Sequence, residues 1–306
     1  MNKHAYSLCV TAALAMTGAA HAQSSVTLYG VVDLSLAKVS GQDLRLSGAS
    51  PLTNGTSRFG LRGTEDLGRG MKASFNFEAQ INPETGAAGD PYFGRAANMT
   101  LSGGFGSVLL GRTLTPGFRA VGAWELTGAA NYNPVSSQFS YVGVNSRNNS
   151  QISYTTPSFG GVTATIAHIL KANTPDGRSK SEFNLIYRAG PLAASMAYNK
   201  LSGGDANHML GAAYDFGVAK VAASYHDATG ADRGKGFTLG AMVPAGPVSL
   251  IFDVARDTEN KDTDMLLEAR YPLSKRTFAY AAHSRNGKGK APVDVNATML
   301  GLRHNF

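Results

Sequence analysis

Apolar and polar residues alternate with a period of two along many stretches of this chain. The segments 182–188, 248–255 and 265–271 each place apolar side chains at every second position, with mostly polar or small side chains between them. This period is typical of β-strands whose two faces meet different surroundings. The pattern continues to the last residue, Phe306. Because unpaired backbone groups are costly in lipid, such strands can span a membrane only as a closed barrel.

The alternation predicts about sixteen strands joined by two kinds of connection. Short turns rich in Gly and Pro alternate with longer polar connections, as in the up-and-down barrels of outer membranes. A soluble β-sandwich also has short alternating strands, but we do not expect it to keep the two connection lengths in strict alternation. The sequence therefore predicts an all-β fold, a transmembrane antiparallel up-and-down β-barrel. The predicted strands are 26–39, 57–67, 71–81, 95–102, 106–113, 147–156, 161–171, 181–189, 192–201, 207–216, 218–228, 235–243, 248–257, 263–272, 276–285 and 296–306.

The polar face of each strand is expected to line the lumen of the barrel. A charged side chain on the lipid face costs about 2–4 kcal/mol at the middle of the membrane. An interior this polar is not a packed core, and a barrel of about sixteen strands is wide enough for an aqueous channel. The charged residues predicted to point inward are Glu182, Arg188, Lys220, Asp253, Glu268, Arg270 and Arg303.

The N-terminal segment 1–22 has the features of a secretory signal peptide. Lys3 precedes a short apolar stretch that is too short for a transmembrane helix, and small residues lead up to a cleavage site near Ala22. The barrel is therefore assigned to 23–306. The single cysteine, Cys9, lies in the signal segment, so the mature chain has neither disulfides nor thiol chemistry.

Composition and charge exclude several classes of function. The formal net charge is +7, which suits anionic solutes or acidic lipid surfaces, whereas a signal peptide argues against nucleic acid as a partner. The sequence has no Cys/His cluster with metal-ligand spacing, and its Gly-rich stretches open hairpins rather than helices. We therefore expect no cofactor and no metal site. The acidic stretch 257–264 is expected to be a solvated external loop, with weak binding of a divalent cation as the alternative.

One connection, 114–146, is much longer than the others and unusually rich in apolar side chains. Long loops without structure of their own are uncommon, and a solvated segment would not carry so many aromatic groups. The segment is predicted to fold into the lumen and narrow it, although an external loop that packs on its neighbours would also bury these groups. Its aromatic residues are Phe118, Trp124, Tyr132, Phe139 and Tyr141.

Four segments resemble the sixteen-stranded, trimeric general porins of Gram-negative bacteria. SSVTLYGVVD at 24–33 resembles their first strand, and SRFGLRGTEDLG at 57–68 resembles their second strand and turn. GGFGSVLLGR at 103–112 is similar to the hairpin before their constriction loop, and GLRHNF at 301–306 to their closing strand. The resemblance implies an outer-membrane homotrimer among lipids that include lipopolysaccharide, acting as a passive diffusion channel for small hydrophilic solutes. It also implies that the barrel-assembly machinery reads the terminal Phe306.

The resemblance further implies a ladder of wall arginines opposite the third loop. Arg58, Arg95 and Arg147 match the ladder positions, with Arg62 and Arg112 as further candidates. The nearest counter-charges are Asp33, Glu78 and Glu125, which we expect to pair with arginines or to hold the loop in place. The loop carries one base, Arg119, and one acid, Glu125, where cation-preferring relatives have more acids. Several wall arginines facing a loop of near-zero charge predict a preference for anions.

Two other functions stay open at this point. One is a substrate-specific channel for anionic solutes, whose flux would saturate at low concentration. The other is an outer-membrane hydrolase, which needs a Ser/His or Asp/His constellation at one membrane face. His226 and Asp227 lie together at a loop edge, but the sequence has no nucleophile-elbow pattern and neighbours in sequence do not make a triad.

The strand at 95–102 departs from the expected pattern. Ala96, Asn98 and Thr100 are less apolar than lipid-facing residues should be. Either the register differs from the family pattern, or this edge of the barrel lies in a trimer interface where lipid is absent.

Overall fold

The computed structural model describes residues 25–287 and 295–306. The predicted signal peptide, 1–22, lies outside the described residues. Strands dominate the described chain, and short helices occur in its connections. Among the described residues, no helix combines the length and the apolar character needed to cross a membrane.

All the described strands except the short β2 follow the predicted segments closely, and β2 lies in the predicted connection 40–56. Their bounds are β1 Ser25–Val39, β2 Arg45–Ser47, β3 Arg58–Gly68, β4 Met71–Gln80, β5 Ala96–Gly103, β6 Gly106–Leu114, β7 Arg147–Thr155, β8 Val162–Ile169, β9 Lys180–Ala189, β10 Leu192–Leu201, β11 Ala206–Asp215, β12 Lys220–Asp227, β13 Lys235–Ala245, β14 Val248–Asp257, β15 Asp262–Pro272, β16 Thr277–Asn286 and β17 Val295–Asn305. Two α-helices, α1 Pro116–Trp124 and α2 Pro134–Phe139, lie between β6 and β7. Short 3-10 turns follow at Lys171–Asn173 and Thr229–Ala231.

The strands form one closed antiparallel barrel. Each long strand pairs with its neighbours in sequence, and β1 pairs with both β3 and β17, which closes the sheet. The short β2 lies in the first long connection and pairs with β1. Within the described residues this leaves sixteen barrel strands out of the 17 in the sheet. The predicted fold class is therefore confirmed, and a closed barrel leaves no unpaired sheet edge in lipid.

The two faces of the wall differ as the alternation predicts. Large apolar side chains such as Leu250, Phe252 and Leu267 are exposed on the outer surface, while their neighbours Asp253 and Glu268 are buried on the inner side. A period of two therefore separates a lipid face from a lumen face in these strands. The same alternation places all the charged residues named above on the inner side: Glu182, Arg188, Lys220, Asp253, Glu268, Arg270 and Arg303.

The unusual pattern of β5 results from its register. Met99 and Leu101 are the exposed apolar residues of this strand. The odd-numbered positions therefore face outward, and not positions 96, 98 and 100 as the sequence suggested. Asn98 and Thr100 line an inner cavity together with Arg62 of β3. Their polar character therefore reflects contact with the lumen, and no trimer contact is needed to explain it.

The first and last strands meet where the barrel closes. The backbone N–H of Gly30 donates to the carbonyl of Phe306 at 3.1 Å, and the N–H of Phe306 donates back at 3.0 Å. A Cβ atom on Gly30 would lie 2.3 Å from Cζ of the Phe306 ring. Glycine at this position therefore lets the terminal ring lie flat against the first strand.

Gly30→Ala is expected to displace the Phe306 ring and to lower the free energy of unfolding by about 1–3 kcal/mol, as overpacking does in tight sites. The measurement is urea-induced unfolding of the purified protein in detergent micelles. Gly104→Ala is the matched control, because a Cβ atom there meets no atom within 4 Å. Equal stability of the two variants would contradict the prediction.

Candidate functional site

Three of the predicted ladder arginines lie at the same end of the barrel. Arg58 begins β3, Arg147 begins β7, and Arg95 immediately precedes β5. Alternate strands of an antiparallel barrel run in the same direction, and each of these three follows a long connection. The three arginines at the starts of β3, β5 and β7 therefore lie close together on the inner wall.

One carboxylate links two of these arginines. Glu78 of β4 lies 2.7 Å from Nε of Arg95 and 3.5 Å from Nε of Arg58. The hydroxyl of Tyr29 also donates to Glu78, at 3.0 Å. Glu78 is therefore fully engaged on the wall, where it holds two guanidinium groups side by side.

Two further guanidinium groups border the same space without an acidic partner. Nε of Arg147 donates to the carbonyl of Arg95 at 2.7 Å, and its Nη1 donates to Ser146 at 3.1 Å. Arg303 of β17 donates to Oδ1 of Asn54 at 2.7 Å. Among the described residues, neither arginine forms an ion pair with a carboxylate.

These four arginines line one side of an opening inside the barrel, with a volume of about 370 Å³. The opposite side is the connection between β6 and β7, residues 115–146, which we call the third loop. No carboxylate is among the described residues that line the opening. The loop residues at the opening are Phe118, Gly128, Ala129, Asn131, Ser136, Tyr141 and Ser146.

The third loop is held against the inner wall at β9 and β10 by side chains that donate to its backbone. Asn184 donates to the carbonyl of Pro116 at 2.8 Å, and Ser195 donates to that of Ala120 at 2.7 Å. Asn199 donates to the carbonyl of Val142, also at 2.7 Å. These wall residues are buried and occupy inward positions. Their contacts place the loop on the lumen side of the sheet.

Apolar packing strengthens this attachment. Trp124 at the end of α1 is 1% exposed and belongs to a buried cluster with Val121, Met209 and Ile251. A Cβ atom on Gly211 of β11 would lie 2.3 Å from the indole, so the ring rests directly on the glycine backbone. Beside it, Phe139 of α2 stacks on His226 with ring centroids 4.6 Å apart and planes inclined by 5°.

A polar network holds the middle of the third loop, at Thr127 and Tyr132. Glu268 of β15 accepts hydrogen bonds from Tyr132 at 2.9 Å and from Asn54 at 3.1 Å, and it forms an ion pair with Arg270. Arg270 in turn donates to the carbonyl of Thr127 at 2.6 Å. The first long connection and the third loop are thus tied to the same wall strand.

The remaining predicted residues lie near the opening but do not line it. Arg62 lies deeper along β3, 5.0 Å from the ring centre of Tyr29. Arg112 donates to the carbonyl of Gly94 at 2.6 Å and lines a wider cavity beside Arg95 and Arg147. Arg119 on α1 donates to Thr113 at 3.4 Å.

Two of the three predicted counter-charges hold loops rather than arginines. Glu125 accepts hydrogen bonds from the backbone N–H of Thr127 at 2.8 Å and of Ala129 at 2.7 Å. Its burial raises the pKa of the carboxyl above its ordinary value. Asp33 accepts from the Tyr280 hydroxyl at 2.7 Å and from the N–H of Gly55 at 2.6 Å.

Sequence reasoning did not place Arg303 at the opening. The alternation identified it as inward, but only the closure of the barrel brings β17 next to β1. The second unanticipated feature is His226, which is fully buried under Phe139. Among the described residues, no group of three or more His, Cys, Asp and Glu side chains is arranged to hold a metal ion.

Comparison with known proteins agrees with the barrel fold. The profile of the Gram-negative porin family matches residues 9–290. Outer membrane porin protein 32 of Delftia acidovorans is 36% identical, over 98% of this chain and 99% of that protein. An outer membrane porin protein of Bordetella pertussis is 27% identical, over 94% of this chain and 96% of that protein.

A solved structure shows the same architecture. The anion-selective porin from Comamonas acidovorans superposes with a TM-score of 0.75 at 29% sequence identity, over 93% of this chain and 100% of that one. This chain therefore belongs to the Gram-negative porin family and is an outer-membrane channel protein.

Proposed function

We propose that the channel prefers anions and that the four arginines at the opening determine this preference. The observation that carries the proposal is the charge balance of the opening. Arg58, Arg95, Arg147 and Arg303 contribute four positive charges, and Glu78 is the one carboxylate in an ion pair with them among the described residues. The third loop contributes no carboxylate to the lining, because Glu125 is buried in the loop itself.

The physical reason is electrostatic focusing in a narrow passage. Walls of low dielectric constant concentrate the field of like charges, which raises the local concentration of counter-ions. A ring of arginines therefore favours chloride and small carboxylates over cations, without a tight binding site. The anion selectivity named for the Comamonas acidovorans structure supports this proposal by similarity.

The experiment is a zero-current potential across a planar bilayer in a potassium chloride gradient. We expect chloride to be more permeant than potassium, and Arg58→Ala combined with Arg147→Ala to reduce the permeability ratio several-fold. The matched control removes two arginines that do not line the opening, Arg178→Ala with Arg276→Ala. A cation-selective native channel would refute the proposal. A ratio unchanged by the first pair of substitutions would refute the residue assignment.

The assembly of the channel follows from the same resemblance to porins. We infer a homotrimer among outer-membrane lipids that include lipopolysaccharide, with Phe306 recognised by the barrel-assembly machinery, because the chain resembles the trimeric porins over its length.

A hydrolase is disfavoured because His226 is fully buried beneath Phe139, where a substrate does not reach it. Solute flux that saturates at low concentration would instead indicate a substrate-specific anion channel.

A further inference from the structure

The opening has two chemically different sides. The wall side carries the four guanidinium groups, whereas the loop side presents two aromatic rings, Phe118 and Tyr141. The centroids of these rings are 4.5 Å apart and their planes are inclined by 52°. Anion preference needs only the arginines, so the proposed selectivity does not account for an aromatic pair that faces them.

The position of this pair differs from that of the other loop aromatics. Trp124 and Phe139 are fully buried between the loop and the wall, whereas Phe118 and Tyr141 stay partly exposed at the opening. Tyr141 also packs against the buried cluster that contains Val121 and Trp124, which holds the ring at this edge. The pair is therefore a fixed apolar surface within reach of a passing solute.

We propose that the opening is a weak binding site for aromatic monocarboxylates. This inference rests on the proposed anion-selective function and specifies the solute class. The carboxylate is bound by Arg147 and Arg303, the two arginines that form no ion pair among the described residues. The ring of the solute packs against Phe118 and Tyr141.

Two interactions distinguish an aromatic solute from an aliphatic one of similar size. Guanidinium groups bind carboxylates through paired, charge-assisted hydrogen bonds, which both solutes form equally. Ring packing in tilted or edge-to-face geometry, together with the attraction of a guanidinium for a ring face, is available only to the aromatic solute. Conduction requires that a solute bind well enough to enter and weakly enough to leave, which an open site of this kind permits.

The experiment measures block of the chloride current by two carboxylates of similar size. Benzoate and cyclohexanecarboxylate are added separately to the purified protein in planar bilayers. We expect benzoate to half-inhibit the current at a concentration about two- to ten-fold lower than cyclohexanecarboxylate does, as the usual strength of aromatic pairing implies. Phe118→Leu and Tyr141→Leu are each expected to bring the two concentrations together. Phe159→Leu, in the turn between β7 and β8, is the matched control and should keep the difference.

Two results would overturn the inference. Equal inhibition by both carboxylates in the native channel would contradict the proposed aromatic site. A difference that persists in both leucine variants would show that Phe118 and Tyr141 do not form the site. The zero-current potential separates these failures from failure of the proposed function. A channel that selects anions but does not discriminate between the two carboxylates contradicts only the further inference, whereas a cation-selective channel contradicts the proposed function.

Discussion

Trp124→Ala is expected to lower the free energy of unfolding by about 3–5 kcal/mol, the usual cost of truncating a large buried aromatic side chain. The indole is 1% exposed and packs on the glycine backbone of β11, so its loss leaves a cavity between α1 and the wall. The third loop then loses its main apolar anchor. We also expect a higher single-channel conductance, because a loosened loop no longer narrows the lumen. Urea unfolding and planar-bilayer recordings measure the two effects.

A glycine pair supplies the control for this prediction. Gly211→Ala places a Cβ atom 2.3 Å from the indole and should displace the ring without removing it, so conductance should change in the same direction. Gly122→Ala on α1 meets no atom within 4 Å and should leave the conductance unchanged. If Trp124→Ala and Gly211→Ala both conduct like the native channel, the indole does not hold the loop in the lumen.

The barrel could be predicted from the sequence because lipid and water impose the same pattern on each strand. At Leu250 and Phe252 the surroundings reject polar groups, and at Asp253 on the other face they accept them. Because each residue must suit either lipid or water, the alternation along a short segment is enough to predict a strand and its two faces. The strand bounds and the inward direction of the charged residues follow from this pattern alone.

The helices of the third loop also have local signals. Thr115 accepts a hydrogen bond from the N–H of Phe118 at 3.0 Å, and Pro116 follows it at the first helical position. Asn133 and Pro134 repeat the arrangement at α2. Thr-Pro and Asn-Pro are recognisable helix starts, so both helices could have been predicted from sequence.

The composition of the opening has no comparable local signal. Arg303 reaches it because the last strand closes against the first, so the contact depends on the tilt and closure of the whole barrel. Arg112, which does not line the opening, lies at a register shift between Gly111 and Thr113. Gly111 adopts a φ of 118°, and a Cβ atom there would lie 2.4 Å from the carbonyl oxygen of Ala97. A simple alternation of faces cannot anticipate such an irregularity.

The second large effect is expected at Glu268, whose carboxylate is fully buried on the lumen side of β15. It accepts hydrogen bonds from Asn54 of the first long connection and from Tyr132 of the third loop. It also forms an ion pair with Arg270, whose Nη2 lies 2.9 Å from Oε2 of Glu268. One carboxylate therefore fixes two loops and one cation. No other described acid joins both loops in this way.

Glu268→Ala is expected to lower the free energy of unfolding by about 3 kcal/mol, because removing one partner leaves the other charge uncompensated. The cost is at the lower end of the usual range, since the Arg270 side chain keeps 21% exposure. With Asn54 and Tyr132 also left without their acceptor, we expect noisier single-channel currents from the loosened loop. Urea unfolding and current-noise analysis measure the two effects. Glu259→Ala, on the exposed connection after β14, is the control and should match the native protein.

A double substitution separates the charge effect from the loss of the network. In Glu268→Ala with Arg270→Ala the uncompensated guanidinium is absent, so the loss of stability should be smaller than the sum of the two single losses. The excess current noise should persist in the double variant, because Tyr132 and the Thr127 carbonyl have both lost their wall partners. Additive stability losses would mean that Glu268 and Arg270 stabilise the barrel independently. Native noise in the double variant would mean that Trp124 and the β9–β10 hydrogen bonds alone hold the third loop.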